Sequence, residues 1–520
     1  MIPTSTLPGR LLQLGSERPD EISMLWRRFG CLQELTWQAV REYVLKLRRG
    51  LSRLGVQPGD RVVVWCDNCV EWLLSDLAIL TTGAVSVPVY AADGGRDARF
   101  ILSETAATTG IFGVEQWRRL NQDCEAPDKS APQLSLVIVI HPGESIEALR
   151  SGHARNDTDP VPSAISRRIA WEALAATNEE EELDDEQPGV PPGPDDLATI
   201  IFTSGTSGDP RGVMFDHKGL LAAGEAVLAM HDVPQRYRTL SYLPLSHAIE
   251  RLNSVILPVL SGGAVAVAGA VDEVPGLMRE VRPDLFIGVP RVWEKTEESI
   301  RSRVAAGPRW KRWLFQRSIA IGQARAATMP HTRPNLWLRI QHRLIDALVL
   351  HRLRRELGMD RARYLLSGGA PLNQTTLAFF ESLGLDILED YGQTETIVTT
   401  VSTPDRRRSG SVGVPLHDTQ VRIADDGEIE IRSQHLFAGY WKRELRTTSG
   451  KFSTAPDLTE DGWFPTGDLG RLSSDGLLTI TGRKKSLIIT SGGKNISPAN
   501  LEAALKTIPL IGQAAAILDG

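Results

Sequence analysis

The stretch Thr203-Ser-Gly-Thr-Ser-Gly-Asp-Pro-Arg-Gly212 sets three glycines and four hydroxyl side chains within ten positions. Glycines let backbone N–H groups converge on an anion without interference from Cβ, and hydroxyls add donors to phosphate oxygens. An apolar run over residues 197–202 precedes the loop, so the order is strand and then phosphate cradle. No Gly-Lys-Ser/Thr closes it, which sets it apart from the Walker loop. A plain Ser/Gly-rich turn has the same composition, and the loop alone does not separate the two.

Further motifs follow in order: Ser367-Gly-Gly-Ala-Pro371, Asp390-Tyr-Gly-Gln-Thr-Glu395, Gly462-Trp-Phe-Pro-Thr-Gly-Asp468, Thr481-Gly-Arg-Lys-Lys485 and Ser491-Gly-Gly-Lys-Asn495. In this order and spacing they resemble the adenylate-forming superfamily of acyl-CoA synthetases, adenylation domains and luciferases. Ser241-Tyr-Leu-Pro-Leu-Ser-His-Ala-Ile-Glu-Arg251 and Val289-Pro-Arg-Val-Trp-Glu-Lys295 are similar to the long-chain fatty acyl-CoA synthetase branch, bubblegum-type members included. The resemblance runs from about residue 35 to the last, interrupted by two divergent stretches.

That resemblance implies a two-step reaction. A long-chain fatty carboxylate attacks the α-phosphorus of ATP to give acyl-adenylate and pyrophosphate, and the thiol of CoA then displaces AMP. Positioning and charge neutralisation supply most of such catalysis, with no covalent enzyme intermediate. It also implies site roles. Thr203, Ser204, Gly205, Thr206, Ser207 and Gly208 would enclose the β- and γ-phosphates. Arg211 stands where the family usually has Lys and keeps the charge as a bulkier planar fork. Glu395 would ligate Mg²⁺ and Thr394 would donate to the α-phosphate. Tyr391, followed by Gly392, would stack on adenine, with Gly368, Gly369 and Ala370 as the opposite wall. Asp468 would accept from both ribose hydroxyls, and Arg483 would assist at ribose or phosphate. His247 would border the acyl pocket, shaped further by Pro290, Arg291 and Trp293. Gly492, Gly493 and Lys494 would approach CoA after a swing about Lys485. A lysine near the end of the small domain would bridge carboxylate and α-phosphate, and no residue after Lys506 fills that role. Besides a ligase, an acyl-AMP ligase serving a carrier protein and a binding-only relative remain open.

Read for its own composition, a chain of 520 residues exceeds one core, so several subdomains are expected. A net charge of −6 argues against nucleic acid as a partner. The four cysteines Cys31, Cys66, Cys69 and Cys124 suit a reducing compartment. Cys66-Asp-Asn-Cys69 reads as a strand-end turn, because no second ligand pair lies near it. Met1-Ile-Pro-Thr-Ser-Thr-Leu-Pro is no signal peptide, and no run reaches membrane-spanning length. A cytoplasmic protein is expected, with any membrane contact peripheral.

Helical and strand signals alternate up to about residue 475, which predicts helices packed on largely parallel sheets. Residues 37–54 read as a helix, 60–65 as a buried strand, 71–82 as a helix and 84–89 as a strand. The run 256–270, broken by Pro258 and Ser261-Gly-Gly263, suits a buried strand pair with a turn at Ser261 and Gly262. Glu250 and Arg251 suggest a structural ion pair. The acidic, proline-rich residues 178–196 read as a linker or loop. Residues 301–356 carry an excess of eleven positive charges, interleaved with Trp310, Trp313, Phe315, Trp337 and Leu338. Such helices suit an anionic membrane surface, or a solvated pair that packs its aromatics inward. The resemblance implies an α/β fold for residues 1–482, with two parallel subdomains and a distorted β-barrel around 412–431. An incomplete small C-terminal α+β domain would follow over 483–520.

Overall fold

A computed structural model describes residues 2–122, 134–151, 167–175, 191–203, 209–230, 233–326, 335–442 and 458–486, with short runs beyond. The chain divides into two compact units. The first comprises Met1–Leu228, Val233–Leu277 and His435–Pro456; the second comprises Ala229–Asp232, Met278–Gln434 and Asp457–Gly520.

In the first unit, apolar β-branched runs make buried strands. Arg61–Trp65 pairs in parallel with Val85–Pro88 and with Thr109–Gly113, and Leu136–Ile140 and Arg167–Ala170 extend that side. Val85–Pro88 also lies parallel to Leu197–Thr203. Leu197–Thr203 pairs antiparallel with Arg211–Asp216, so the motif starts on one of these strands at Thr203 and ends on the other at Arg211 and Gly212. A second group pairs Arg238–Ser241, Ala264–Val267 and Ile22–Arg28 in parallel, with Cys31–Thr36 antiparallel at its margin. Helix Trp37–Arg53 opens on the Thr36 side chain as N-cap, and helix Val70–Thr82 buries every residue. Helices Trp37–Arg53 and Val70–Thr82 and strands Arg61–Trp65 and Val85–Pro88 match the sequence expectation to within one residue at each end.

The run 256–270 departs from its expected strand pair. Its first half is helix Leu257–Ser261, with Pro258 in the first turn, where a missing N–H is tolerated. Gly262 ends that helix at φ +75°, its N–H donating to Pro258 O at 2.8 Å, and only then does strand Ala264–Val267 begin. Ser261 and Gly262 are therefore a helix terminus rather than a strand turn.

The expected Glu250–Arg251 pair is also corrected. Arg251 grips Asp76 with Nη2 at 2.7 and 2.6 Å from the two carboxylate oxygens, both side chains being buried. Ser86 donates to the same carboxylate, and Thr199 contacts the guanidinium. Glu250 instead accepts from Ser254 Oγ at 2.6 Å, and burial pushes its carboxyl up to about 8, so it is protonated near neutral pH. Burial, helped by the Arg251 charge, drives the His217 imidazole down to about 4. Burying Glu250 and His217 as neutral groups leaves Asp76 as the counter-ion of Arg251.

The second unit carries three parallel strands, Leu285–Gly288, Tyr364–Ser367 and Ile387–Tyr391, extended antiparallel by Thr400–Val401 and Val414–Pro415. Trp293 is fully buried between Phe286 and Phe380, at ring centroids 5.5 and 5.3 Å, so it anchors this core. A four-stranded antiparallel sheet of Gln420–Ile423, Glu428–Arg432, Phe464–Leu472 and Leu478–Arg483 stands where the distorted barrel is expected. Most residues of the acidic, proline-rich segment and of 487–520 lie outside the described residues.

Removing one partner of the buried pair strands the other charge. Asp76→Ala is expected to lower unfolding stability by about 3–5 kcal/mol in urea denaturation. The double replacement Asp76→Leu/Arg251→Met should recover most of that loss.

Candidate active site

Strands Tyr364–Ser367 and Ile387–Tyr391 are parallel neighbours, with Ser367 opposite Glu389. Their carboxyl ends therefore deliver Gly368-Gly369-Ala370 and Tyr391 side by side, the place where open α/β sheets bind ligands. Gly368 is glycine for a steric reason: a Cβ there would lie 2.6 Å from Asp390 Oδ2. Gly369 adopts φ +82°, with open space where its side chain would be. Gly392 packs so tightly that a Cβ would meet Ile397 O at 2.2 Å, which folds the Gln393–Glu395 segment back.

Asp468 is the hub of this region. Strands Phe464–Leu472 and Leu478–Arg483 place it directly opposite Arg483, whose Nε donates to Oδ1 at 3.0 Å. The Tyr391 hydroxyl donates to Oδ2 at 2.8 Å, and Gln393 Nε2 donates to the same oxygen. Gln393 Nε2 also reaches Thr466 O at 2.9 Å, tying the loop after Tyr391 to the strand of Asp468. Burial, then the nearby Asp468 carboxylate, hold the Tyr391 phenol well above its usual range, so it stays a proton donor. Behind the hub, Gly467 N–H donates to Glu428 Oε1 at 2.7 Å, and Lys484 holds Glu428 Oε2 at 2.7 Å and Asp426 at 2.5 Å.

Glu389 and Asp390 precede Tyr391 on the same strand. Burial pushes the Asp390 carboxyl up to about 7, and its Oδ1 is buried with no hydrogen-bond partner. Burial raises Glu389 to about 7 as well, with the Asp390 charge adding to it. Thr394 and Glu395 are half-buried at the turn that follows. Among the described residues no group of three or more His, Cys, Asp or Glu could hold a metal ion. Glu395 and Thr394 carry oxygen donors, the ligand type that Mg²⁺ takes.

In the first unit, Thr203 pairs with Arg211 across the hairpin, while Ser204, Gly205, Thr206, Ser207 and Gly208 lie outside the described residues. The Arg211 guanidinium stacks on Tyr440 at 4.5 Å, a use of its planar fork that an ammonium does not match. His247 immediately precedes helix Ala248–Arg251 without a side-chain cap hydrogen bond, its ring edge-on to Tyr90 at 5.5 Å. Desolvation by its walls lowers the imidazole pKa, so it is neutral at pH 7. Gly492, Gly493 and Lys494 lie outside the described residues, and Lys485 is exposed just after Arg483.

Three contributors were not singled out from the sequence. Gln393 and Asp390 lie inside the Asp390–Glu395 motif, where nothing local sets them apart from their neighbours. Asn68 had no local signal. Its amide donates to Leu243 O at 2.6 Å and accepts from Leu245 N at 3.2 Å, clamping the loop that leads to His247. It stands between Cys66 and Cys69, whose thiols are buried 3.9 Å apart.

A family model described as AMP-binding enzyme matches residues 14–441. The chain belongs to the AMP-binding enzyme family. Among curated relatives of this AMP-binding enzyme, the long-chain-fatty-acid–CoA ligase FadD15 of Mycobacterium bovis is 33% identical. That alignment covers 97% of this chain and 78% of the relative. The long-chain-fatty-acid–CoA ligase ACSBG2 of Gallus gallus is 29% identical, over 97% of this chain and 64% of its own. ATP-bound MatB from Rhodopseudomonas palustris shares the fold at TM-score 0.71 and 21% identity, covering 99% of this chain and 86% of MatB. The N-terminal domain of FACL13 from Mycobacterium tuberculosis aligns at TM-score 0.63 and 23% identity, over 93% of this chain and all of that domain. The mixed α/β fold with parallel sheets is thus the fold of adenylate-forming enzymes.

The raised Asp390 pKa fixes a sign. Its folded-state carboxyl binds a proton that the unfolded chain has already released, so its contribution is present below about pH 4 and is lost as pH rises through about 7. Asp390→Asn should therefore remove part of the pH dependence. Between pH 5 and pH 8, wild-type stability should fall by roughly 2–3 kcal/mol more than that of the variant, read by urea denaturation at each pH.

Proposed function

We propose that this chain is a long-chain fatty acid–CoA ligase. It activates a fatty carboxylate with Mg-ATP to acyl-adenylate and transfers the acyl group to CoA. The observation that carries this reading is the Asp468 hub with Tyr391 at the carboxyl ends of parallel strands, in a chain aligned over 97% of its length with a ligase of that name.

In this reading Tyr391 stacks on adenine against Gly368, Gly369 and Ala370. Asp468, pre-oriented by Tyr391, Gln393 and Arg483, accepts from the ribose hydroxyls, and Arg483 lies beside them as a cation for ribose or phosphate. The Thr203–Gly208 loop and Arg211 enclose the β- and γ-phosphates, and Thr394 donates to the α-phosphate. Glu395 would hold Mg²⁺, which neutralises phosphate charge when bound. His247 borders the acyl carboxylate. Gly492, Gly493 and Lys494 approach CoA after rotation about Lys485, the joint between residues 1–482 and the C-terminal part. We place the reaction in the cytoplasm, with a peripheral membrane surface as the source of the acyl chain.

The test is acyl-dependent pyrophosphate release with Mg-ATP, palmitate and CoA, the acyl product being identified by mass spectrometry. Palmitoyl-CoA at about one turnover per second is the expected outcome. Palmitoyl-AMP without thioester would reassign the acceptor to a carrier protein. ATP binding with no pyrophosphate release would overturn the ligase reading in favour of a binding-only relative. Glu395→Gln should lower kcat by about 10²–10³ and raise the Mg²⁺ concentration needed for half-maximal rate.

A further inference from the structure

Residues 309–326 and 336–357 form helices on the second unit whose outward face is unusual for protein that meets only water. Helix Arg309–Ala326 turns Phe315 inward onto Phe379, at 6.4 Å between centroids. Its Gly322 sits so close to helix Gln374–Ser382 that a Cβ would lie 2.0 Å from Ser382 O. Among the four aromatics, the inward-packing alternative thus holds for Phe315 alone. Trp310 and Trp313 point outward, 63% and 66% exposed. Helix Leu336–Ile345 packs beside this helix, with Arg325 Nη1 3.1 Å from His342 Nε2. Burial and the Arg325 charge lower the His342 pKa, so a neutral ring can accept from the guanidinium.

Leu336, Ile340, Leu344 and Leu348 recur at four-residue steps and are all exposed, with Trp337 at 67% beside them. Arg339, Arg343 and Arg355 are exposed along the same helical run; Arg309, Lys311, Arg312 and Arg317 are exposed within four residues of Trp310 or Trp313, with the Lys311 ammonium 5.6 Å from the Trp310 ring centroid. The only two acids on these described helices are already paired, Asp346 with Arg354 at 2.8 Å and Glu356 with Arg352 at 3.2 Å. The face therefore combines large apolar side chains with positive charge that its own acids do not cancel.

We propose that this helical pair is a membrane-docking surface that seats Trp310, Trp313, Trp337 and the Leu336–Leu348 stripe in the interfacial zone of an anionic bilayer. Charge complementarity selects the occupant. A protein groove would cover leucines equally well, but a field of arginines rimming three tryptophans matches lipid phosphates above an apolar boundary. Tryptophan prefers that boundary because its ring is apolar and its N–H finds water or headgroup partners. No helix among the described residues is long and apolar enough to cross a membrane, so the contact is interfacial. The inference deepens the proposed use of long-chain acyl substrates, which partition into bilayers. It does not need turnover to be tested.

The experiment is co-sedimentation of the full chain, without ATP, with phosphatidylcholine vesicles and with vesicles holding 30% phosphatidylglycerol. Tryptophan emission is read in parallel. Expected are binding to the anionic vesicles that weakens with salt, and a blue shift of emission. The triple variant Trp310→Ser/Trp313→Ser/Trp337→Ser should weaken binding about 10–100-fold, and Arg339→Glu/Arg343→Glu about 10-fold or more. Both sets are exposed, and unchanged thermal unfolding would confirm folding. Equal binding by wild type and the triple variant, or no preference for anionic lipid, would overturn the proposal. So would concentration-dependent self-association lost in the triple variant without vesicle binding, which would assign the face to a second copy. Failure of the ligase reading would appear only in pyrophosphate release, leaving these readouts intact.

Discussion

The carboxylate of Asp468 is the constraint on which the second unit's site depends. Three donors from two regions of the fold converge on it: Tyr391 and Gln393 from the end of a parallel strand, and Arg483 from the antiparallel sheet. Each hydrogen bond to a charged group is worth about 1.5–3 kcal/mol. Their larger effect is geometric, because a carboxylate held by three donors has few orientations left. The same bonds fix the angle of the Tyr391 ring and the path of the loop to Thr394 and Glu395. Lys484, Glu428 and the Gly467 amide repeat the device one layer behind. A change at any of these residues would be felt through Asp468.

The first unit uses buried charge differently. The Arg251–Asp76 pair, Thr199 and Ser86 join the segment after His247 to the buried helix Val70–Thr82 and to two neighbouring strands. Glu250 and His217 lie in the same interior as neutral groups, because burial outweighs any gain from charging them. Asn68 then anchors the approach to His247 from the other end of its loop. Rigidity at the ends of that loop leaves His247 and its Tyr90 neighbour little freedom. Arg211, stacked on Tyr440, is likewise held by a neighbouring ring.

Much of this was legible because nucleotide sites of this kind are built from short local sequences. The order strand–Gly-Gly-Ala and strand–Tyr-Gly-Gln-Thr-Glu places both walls of the proposed adenine slot, since a short apolar stretch, Leu365-Leu366 or Ile387-Leu388, leads into each motif. What sequence reading missed was tertiary. Asp76 lies 175 residues from Arg251, and no periodicity connects them, so adjacent Glu250 was the natural but mistaken partner. The run 256–270 is uniformly apolar, and short apolar runs do not distinguish helix from strand. Pro258 and Gly262 carried the right signal, as first-turn proline and C-terminal glycine of one short helix. Around residues 301–356 the composition left two orientations open, and the packing of Phe315 and Gly322 decided which face turns outward.

The central claim is that Asp468, preset by its three donors, reads the ribose hydroxyls of ATP. The most direct measurement compares binding of ATP and 2′,3′-dideoxy-ATP to wild type and to Asp468→Ala by calorimetry. If the claim holds, wild type should lose about 10–100-fold in affinity when the hydroxyls are removed, and the variant should bind both nucleotides with nearly equal, weak affinity. Equal loss of both nucleotides on replacing Asp468, or no ribose dependence in wild type, would contradict the account and leave Asp468 a structural strut.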